Sequence, residues 1–267
     1  MISPSSNLNC NGGFFSCCSV ILHSIVDYIN ANKKYPVVDL SDQFNRYKPS
    51  GMGRCDMSHE YFSKKENVHS ESNLPFIKYH ENYQYLKYKE LDYDAILPVV
   101  KRYFSPSDQI NQRIAFLESK YGLDDYSSIC VLFYRGNDKS IETNICEYTT
   151  ILQKAKEVQR ENPSIRFLIQ SDETEFIDYM MSEFPGSIYF KDEIRHMTKR
   201  KGTVDDVFRD KNYEFSKYYL AITHIMAKCG HVVCGSSGNC SIWIAFFRGN
   251  ADNFHQYKSR EFSEIWV

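Results

Sequence analysis

The stretch Ser128-Ile-Cys-Val-Leu-Phe-Tyr-Arg-Gly-Asn-Asp-Lys139 changes character halfway along. Ile129 to Tyr134 is an unbroken apolar and aromatic run without helical spacing, the pattern of a strand buried on both faces of a parallel sheet. Arg135-Gly136-Asn137-Asp138-Lys139 then switches to charge and turn chemistry. Ligands of open α/β sheets bind just beyond the carboxyl ends of the strands, which sets Arg135 at the mouth of a crevice. Its planar guanidinium can grip a phosphate or carboxylate with two hydrogen bonds at once. It can equally salt-bridge a neighbouring loop, and this stretch alone leaves both open.

Downstream, strands and helices alternate. Ile145 to about Glu161 predicts a helix stopped by Asn162-Pro163, and Ile165 to Gln170 a strand ending in Ser171-Asp172. Thr174 to Phe184 reads as a helix and Ser187 to Phe190 as a short strand. Residues 191–211, rich in Lys, Arg and Asp, read as a long polar connection able to act as a mobile flap. A helix from Tyr213 to Lys228, a strand from His231 to Cys234, a turn at Gly235-Ser-Ser-Gly238 and a helix from Asn239 to Phe247 follow. This alternation predicts an α/β fold whose C-terminal half is a doubly wound parallel sheet. Three strand ends then converge: Arg135 to Lys139, Ser171-Asp172, and Gly235 to Asn239. In the last, small residues lead into a helix start, where a phosphate can approach closely and the dipole favours its charge.

Upstream, Gly12-Gly13 precede an amphipathic helix from Phe14 to about Asn32, and Tyr35 to Leu40 reads as a short buried strand. The glycine pair could present backbone N–H groups to an anion or be a plain turn. Residues 41–90 predict irregular loops. Asp92-Tyr93-Asp94 fits a helix start better than a metal-binding acidic pair, and Pro98 should bend the helix that follows. Ser105-Pro106 reads as an N-cap and first helical position of the next helix. The boundary between two halves is accordingly set at 1–104 and 105–267.

Hydrophobic residues at 42% and charged ones at 25% describe a globular chain with an adequate core. A net charge of −2 gives no electrostatic footprint for nucleic acid. Nine cysteines, an odd number with Cys17 and Cys18 adjacent, suit buried thiols better than a disulfide framework. No basic leader is present, and no apolar run is expected to span a membrane. The sequon Asn239-Cys240-Ser241 overlaps the ligand turn, so the chain reads as non-secreted and cytoplasmic.

Neither a dinucleotide-binding fingerprint nor a P-loop occurs. Gly235-Ser-Ser-Gly-Asn239 nears a nucleophile elbow but ends in Asn where Gly belongs, leaving a serine hydrolase at Ser237 as a minor reading. Cys229, His231 and Cys234 look like metal ligands, yet in a strand His231 and Cys234 point to opposite faces, so no metal is expected.

Phe133-Tyr-Arg-Gly-Asn-Asp-Lys139 resembles the H-x-R-x-x-D-K loop of the GDP-fucose-dependent α1,6- and protein O-fucosyltransferase superfamily, nodulation fucosyltransferases included. Phe167 to Asp172, Val233 to Asn239, and Asn11-Gly-Gly-Phe-Phe15 with the Pro-Val-Val-Asp segment resemble further family motifs in the same order. The resemblance implies a GT-B architecture of two Rossmann-like halves, with the donor nucleotide held by the C-terminal one. It implies a metal-independent, inverting transfer from GDP-fucose, or a related nucleotide sugar, to a glycan hydroxyl, with no further cofactor. By position, Arg135 would hold the donor diphosphate, as the catalytic residue, with Asp138 and Lys139 shaping the loop or touching the acceptor. Gly12, Gly13, Ser171, Asp172, Ser236, Ser237, Gly238 and Asn239 would complete the donor site, Asp172 near the base or ribose. Phe133 stands where the family has His and can neither hydrogen-bond nor titrate. A sugar-nucleotide or glycan-binding protein without turnover is therefore the alternative. The general base is open, with His23, Asp39 and Asp42 as candidates.

Overall fold

The computed structural model describes residues 1–4, 12–63, 73–79, 86–235, 238–258 and 265–266. The quoted apolar run is β1 (Ile129–Tyr134), buried at all six positions. It pairs in parallel on one side with β2 (Arg166–Ser171) and on the other with β3 (His231–Gly235). A fourth parallel strand, β4 (Phe254–Lys258), lies beyond β3, and the two-residue β5 (Ile265–Trp266) adds antiparallel to it. The order is β2-β1-β3-β4-β5. The chain is thus an α/β protein built on one four-stranded parallel sheet.

The helices longer than a single turn are α1 (Phe14–Asn32), α2 (Tyr93–Tyr103), α3 (Asp108–Tyr121), α4 (Tyr148–Glu161), α5 (Thr174–Glu183), α6 (Asn212–Lys228) and α7 (Asn239–Arg248) among the described residues. Alternate side chains of β1 meet different layers. The Tyr134 ring stacks on Phe176 of α5 at 4.7 Å and meets Tyr148 of α4 edge-on at 5.1 Å. Phe133 faces the other way, towards the cavity it shares with Tyr219 and Ile222 of α6. Helices on both faces explain why β1 carries no charged side chain.

Several expectations are corrected. Tyr35–Leu40 is not a strand: Val37 is exposed, and only the Ile2–Val38 bridge forms there. Among the described residues the N-terminal part contributes helices and loops, with no second Rossmann-like sheet. Ser187–Phe190 likewise reduces to a single bridge between Ile188 and Leu168. The helix cap is Ser107, which accepts the Ile110 N–H at 3.4 Å, while Pro106 bridges to Phe62. Asp92 does cap α2, accepting from the Ala95 N–H at 3.1 Å. β4 escapes sequence reading because Gln256 interrupts its apolar pattern. That buried amide donates to the Leu86 carbonyl at 2.8 Å and accepts the Tyr88 N–H at 2.9 Å.

α1 is 19 residues and apolar enough, by length and composition, to cross a membrane, which corrects the expectation that no run approaches that size. In the fold its Cys18, Leu22, Ile25, Val26 and Ile29 have no exposed surface. Trp243 of α7 joins this layer, fully buried against Phe15, Phe104 and Phe246. Truncating a ring so placed costs about 3–5 kcal/mol.

Two histidines are half-buried, each with its Nε2 shielded from water and without a partner. The His224 ring lies 3.8 Å from that of Phe247, its Nε2 without a partner, and burial pulls its pKa from 6.5 to about 3. Burial, then Lys154, pulls His255 to about 4. Below pH 6.5 the unfolded chain takes up protons that the folded one refuses. Stability is therefore full above that pH and declines as pH falls towards the folded-state values, by up to about 1.4 kcal/mol per unit for each histidine. His224→Phe should flatten its share of this decline, read as a smaller drop in urea midpoint between about pH 7 and pH 5. An unchanged drop would show that His224 is not responsible.

Candidate active site

The end of β2 carries Ser171, Asp172 and Glu173, all buried. Buried carboxylates need donors, and the turn after β1 supplies them. The Gly136 N–H donates to Asp172 Oδ1 at 3.0 Å, and the Asn137 N–H to Glu173 Oε1 at 2.6 Å. The Tyr148 hydroxyl donates to Glu173 Oε2. A Cβ on Gly136 would sit 2.0 Å from Glu173 Oε1, so only glycine fits. Asn137 adopts φ 28° and donates its own amide to the Asp172 carbonyl at 2.6 Å. Ser171 Oγ accepts the Glu173 N–H at 3.0 Å.

This turn fixes Arg135. Its Nη2 donates to Asp138 Oδ1 at 3.0 Å and its Nη1 lies 3.3 Å from Asp172 Oδ2. Burial alone would weaken the guanidinium's hold on its proton, but Asp172 and then Asp138 outweigh that and raise its pKa. Burial also pushes the Asp138 carboxyl up, against the pull of Arg135 and Lys139. Lys139 opens a single helical turn, 139–142, its ammonium on Glu142 and 3.9 Å from Asp138. The salt-bridge reading of Arg135 is therefore correct in the free protein. The guanidinium nevertheless faces open space, because Arg135, Asp138 and Asp172 all line a cavity of about 450 Å³.

That cavity gathers residues distant in sequence. Gly12 and Gly13, Lys139, Ser171, Gly238 and Asn239 line it together with the Arg135 cluster. Ser236 and Ser237 lie outside the described residues. His23, Asp39 and Asp42 are not among the lining residues; His23 faces Asp27 at 3.3 Å, and Arg54 holds Asp42. They are not placed to act as the base. Asn239, at the start of α7, is tied to α1. The Trp243 indole N–H donates to Ser19 Oγ at 2.9 Å, and Ser19 donates to Asn239 Oδ1 at 2.8 Å. An indole only donates, so this relay directs the Asn239 carbonyl to Ser19 and turns its NH₂ the other way.

Residues 191–211, expected as a long polar connection, are tied to the rest of the chain at several points along their length. The Met197 N–H donates to the Asp172 carbonyl at 3.1 Å, and the Arg200 N–H to Asn137 Oδ1 at 2.9 Å. Arg195 pairs with Asp205 at 2.6 Å, the Tyr47 hydroxyl donates to the same carboxylate at 2.6 Å, and Arg46 holds Asp206. Arg46, Arg195 and Asp205 thereby join the cavity wall, as do Gln170 and Glu193. Sequence reading missed these because they sit in stretches without periodicity or behind a strand pattern. Only the pairing of an acid-rich strand end with a glycine turn hinted at Glu173. The lining carries four cations (Arg46, Arg135, Lys139, Arg195) against five carboxylates (Asp138, Glu142, Asp172, Glu193, Asp205), so its charge is nearly balanced.

No family model matches this chain, and no curated protein matches it. Among solved structures, the crystal structure of NodZ alpha-1,6-fucosyltransferase soaked with GDP-fucose is similar, with a TM-score of 0.41 and 11% identity. The match covers 66% of this chain and 53% of that one, so the chain spans about half the length of the structure it matches. The likeness is one of outline.

Removing the guanidinium strands a carboxylate that is 3% exposed. Arg135→Ala should therefore lower unfolding free energy by about 3–5 kcal/mol in urea titration. Adding Asp172→Asn, which keeps an acceptor for the Gly136 N–H, should restore much of it. Equal stability of the single variant and wild type would show that the pair carries no weight.

Proposed function

We propose that the cavity binds a nucleotide sugar and that the chain is an inverting glycosyltransferase, of the GDP-fucose-dependent kind that its motifs resemble. One observation carries the reading. A fixed guanidinium stands at the carboxyl edge of a parallel sheet, in a cavity of about 450 Å³ that also takes in the N-terminal residue of α7. That is where open α/β sheets receive ligands, and the volume is of the size that small-molecule sites have. As a glycosyl–phosphate bond breaks, negative charge appears on the departing diphosphate. A guanidinium already held in place stabilises it without reorganising. Lys139 and the opening residues of α7, Asn239 and Cys240, line the same cavity.

Asp138 is the proposed proton acceptor. Its carboxyl, raised by burial, is paired with Arg135 in the free protein. A diphosphate that draws Arg135 towards itself releases Asp138 to take the proton of an acceptor hydroxyl. Residues 105–267 would then hold the donor, with Gly12 and Gly13 completing its site, and residues 1–104 would offer the acceptor side through Arg46. Other nucleotide sugars fit the same chemistry.

A second reading, a sugar-nucleotide or glycan-binding protein without turnover, is favoured by the balanced charge of the lining and by Phe133, which brings no titratable group. Turnover decides between them: donor hydrolysis or transfer above background by wild type excludes it.

A thermal-shift panel of GDP, UDP and CMP sugars should raise the melting point for one donor class, since saturation at a hundredfold over Kd adds about 2.7 kcal/mol. In the Asp172→Asn background, Arg135→Ala should lower kcat/KM by about 10²–10³-fold. Turnover unchanged by that substitution would remove Arg135 from the chemistry.

A further inference from the structure

Gln170 lies directly beside Phe133, in register on the neighbouring strand, and both side chains line the cavity. The residue is 5% exposed, and its Oε1 is buried without a hydrogen-bond partner. Phe133, Phe215 and Ile222, which share the cavity lining, offer no donor or acceptor from their side chains. An unmet buried amide costs roughly 1–3 kcal/mol, and a folded protein keeps one where something outside the chain completes it.

We infer that Gln170 is a ligand-reading residue of this cavity, and that it recognises a neutral, donor-bearing ring of the ligand rather than its phosphates. The chemistry of the group sets this class. Its buried acceptor oxygen repels phosphate oxygens and attracts an O–H or N–H. It lies two residues before Asp172 on the same side of β2, so the neutral part of a ligand gripped at Arg135 would reach it deeper in the site. Sugar hydroxyls and the amide edge of a nucleobase both present such donors. A carboxamide does not titrate, so its contribution is independent of pH over the neutral range. The inference rests on the nucleotide-sugar reading above and adds to it the residue that discriminates the ligand's uncharged part.

The test uses Gln170→Met, which keeps the length of the side chain and removes the amide, on the full chain. Two measurements are made: the melting temperature without ligand, and calorimetric affinities for GDP, UDP and GDP-fucose. The unliganded melting temperature should equal or exceed that of wild type, because the amide has no partner within the protein. Affinity should fall by about ten- to a hundredfold. A loss shared by a bare nucleotide and its sugar adduct assigns Gln170 to the base, whereas a loss confined to the adduct assigns it to the sugar; either supports the inference. A lowered unliganded melting temperature, or affinities equal to wild type for every nucleotide that wild type binds, overturns it while leaving the nucleotide-sugar reading intact. Wild type that binds none of the three, nor any other nucleotide sugar, overturns both.

Discussion

Asp172 and Glu173 bury two consecutive carboxylates at the end of β2, and burial of that kind is tolerated only when donors surround it. The donors come from elsewhere in the chain: backbone N–H groups of Gly136 and Asn137 and the Tyr148 hydroxyl, with the Arg135 guanidinium as the ion-pair partner of Asp172. Satisfying the carboxylates thus holds the turn after β1 in one shape. The same knot reaches the long connection after α5, through Met197 on the Asp172 carbonyl and Arg200 on the Asn137 side chain. The turn after β1, the end of β2 and the connection after α5 are thereby held together by their own polar groups.

This arrangement changes how an anion could bind. The guanidinium is not a bare positive charge awaiting a phosphate; it is shared between Asp138 and Asp172. A buried ion pair gains little net energy over an apolar pair of the same shape, but breaking one partner away is costly. Under the proposed function, a diphosphate would replace a carboxylate contact rather than simply add to it. The exchange would couple its binding to the freedom of Asp138 to act as the base.

A second tie joins the two ends of the chain. Trp243 fills the space between α1, α2 and α7, and its one polar atom passes through Ser19 to Asn239 at the cavity rim. The N-terminal helix thereby both completes the core and orients an amide of the site. Without a sheet of its own among the described residues, the N-terminal segment joins the cavity wall by packing against the sheet's helices.

Ile129–Tyr134, the Arg135-Gly136 turn and the small residues before α7 were legible in the sequence because local patterning decides them. A strand covered on both faces must be apolar throughout, and a tight turn beside a buried carboxylate must be glycine. α1, α4, α6 and the helix start at Asp92-Tyr93-Asp94 followed from helical spacing and from carboxylates placed at a helix N-terminus. Tyr35–Leu40 looked like a strand by composition, but a strand exists only where another lies beside it, and Val37 faces water instead. Gln256 hid β4 because its partners at Leu86 and Tyr88 are far away in sequence. Likewise, whether Arg135 pairs with its own loop, and whether Gln170 meets anything at all, depends on which side chains the fold sets opposite them. Periodicity along the chain specifies which face of an element is apolar; partners for charged and amide groups are chosen only when the elements pack, since those bonds act across space and carry no repeat in sequence.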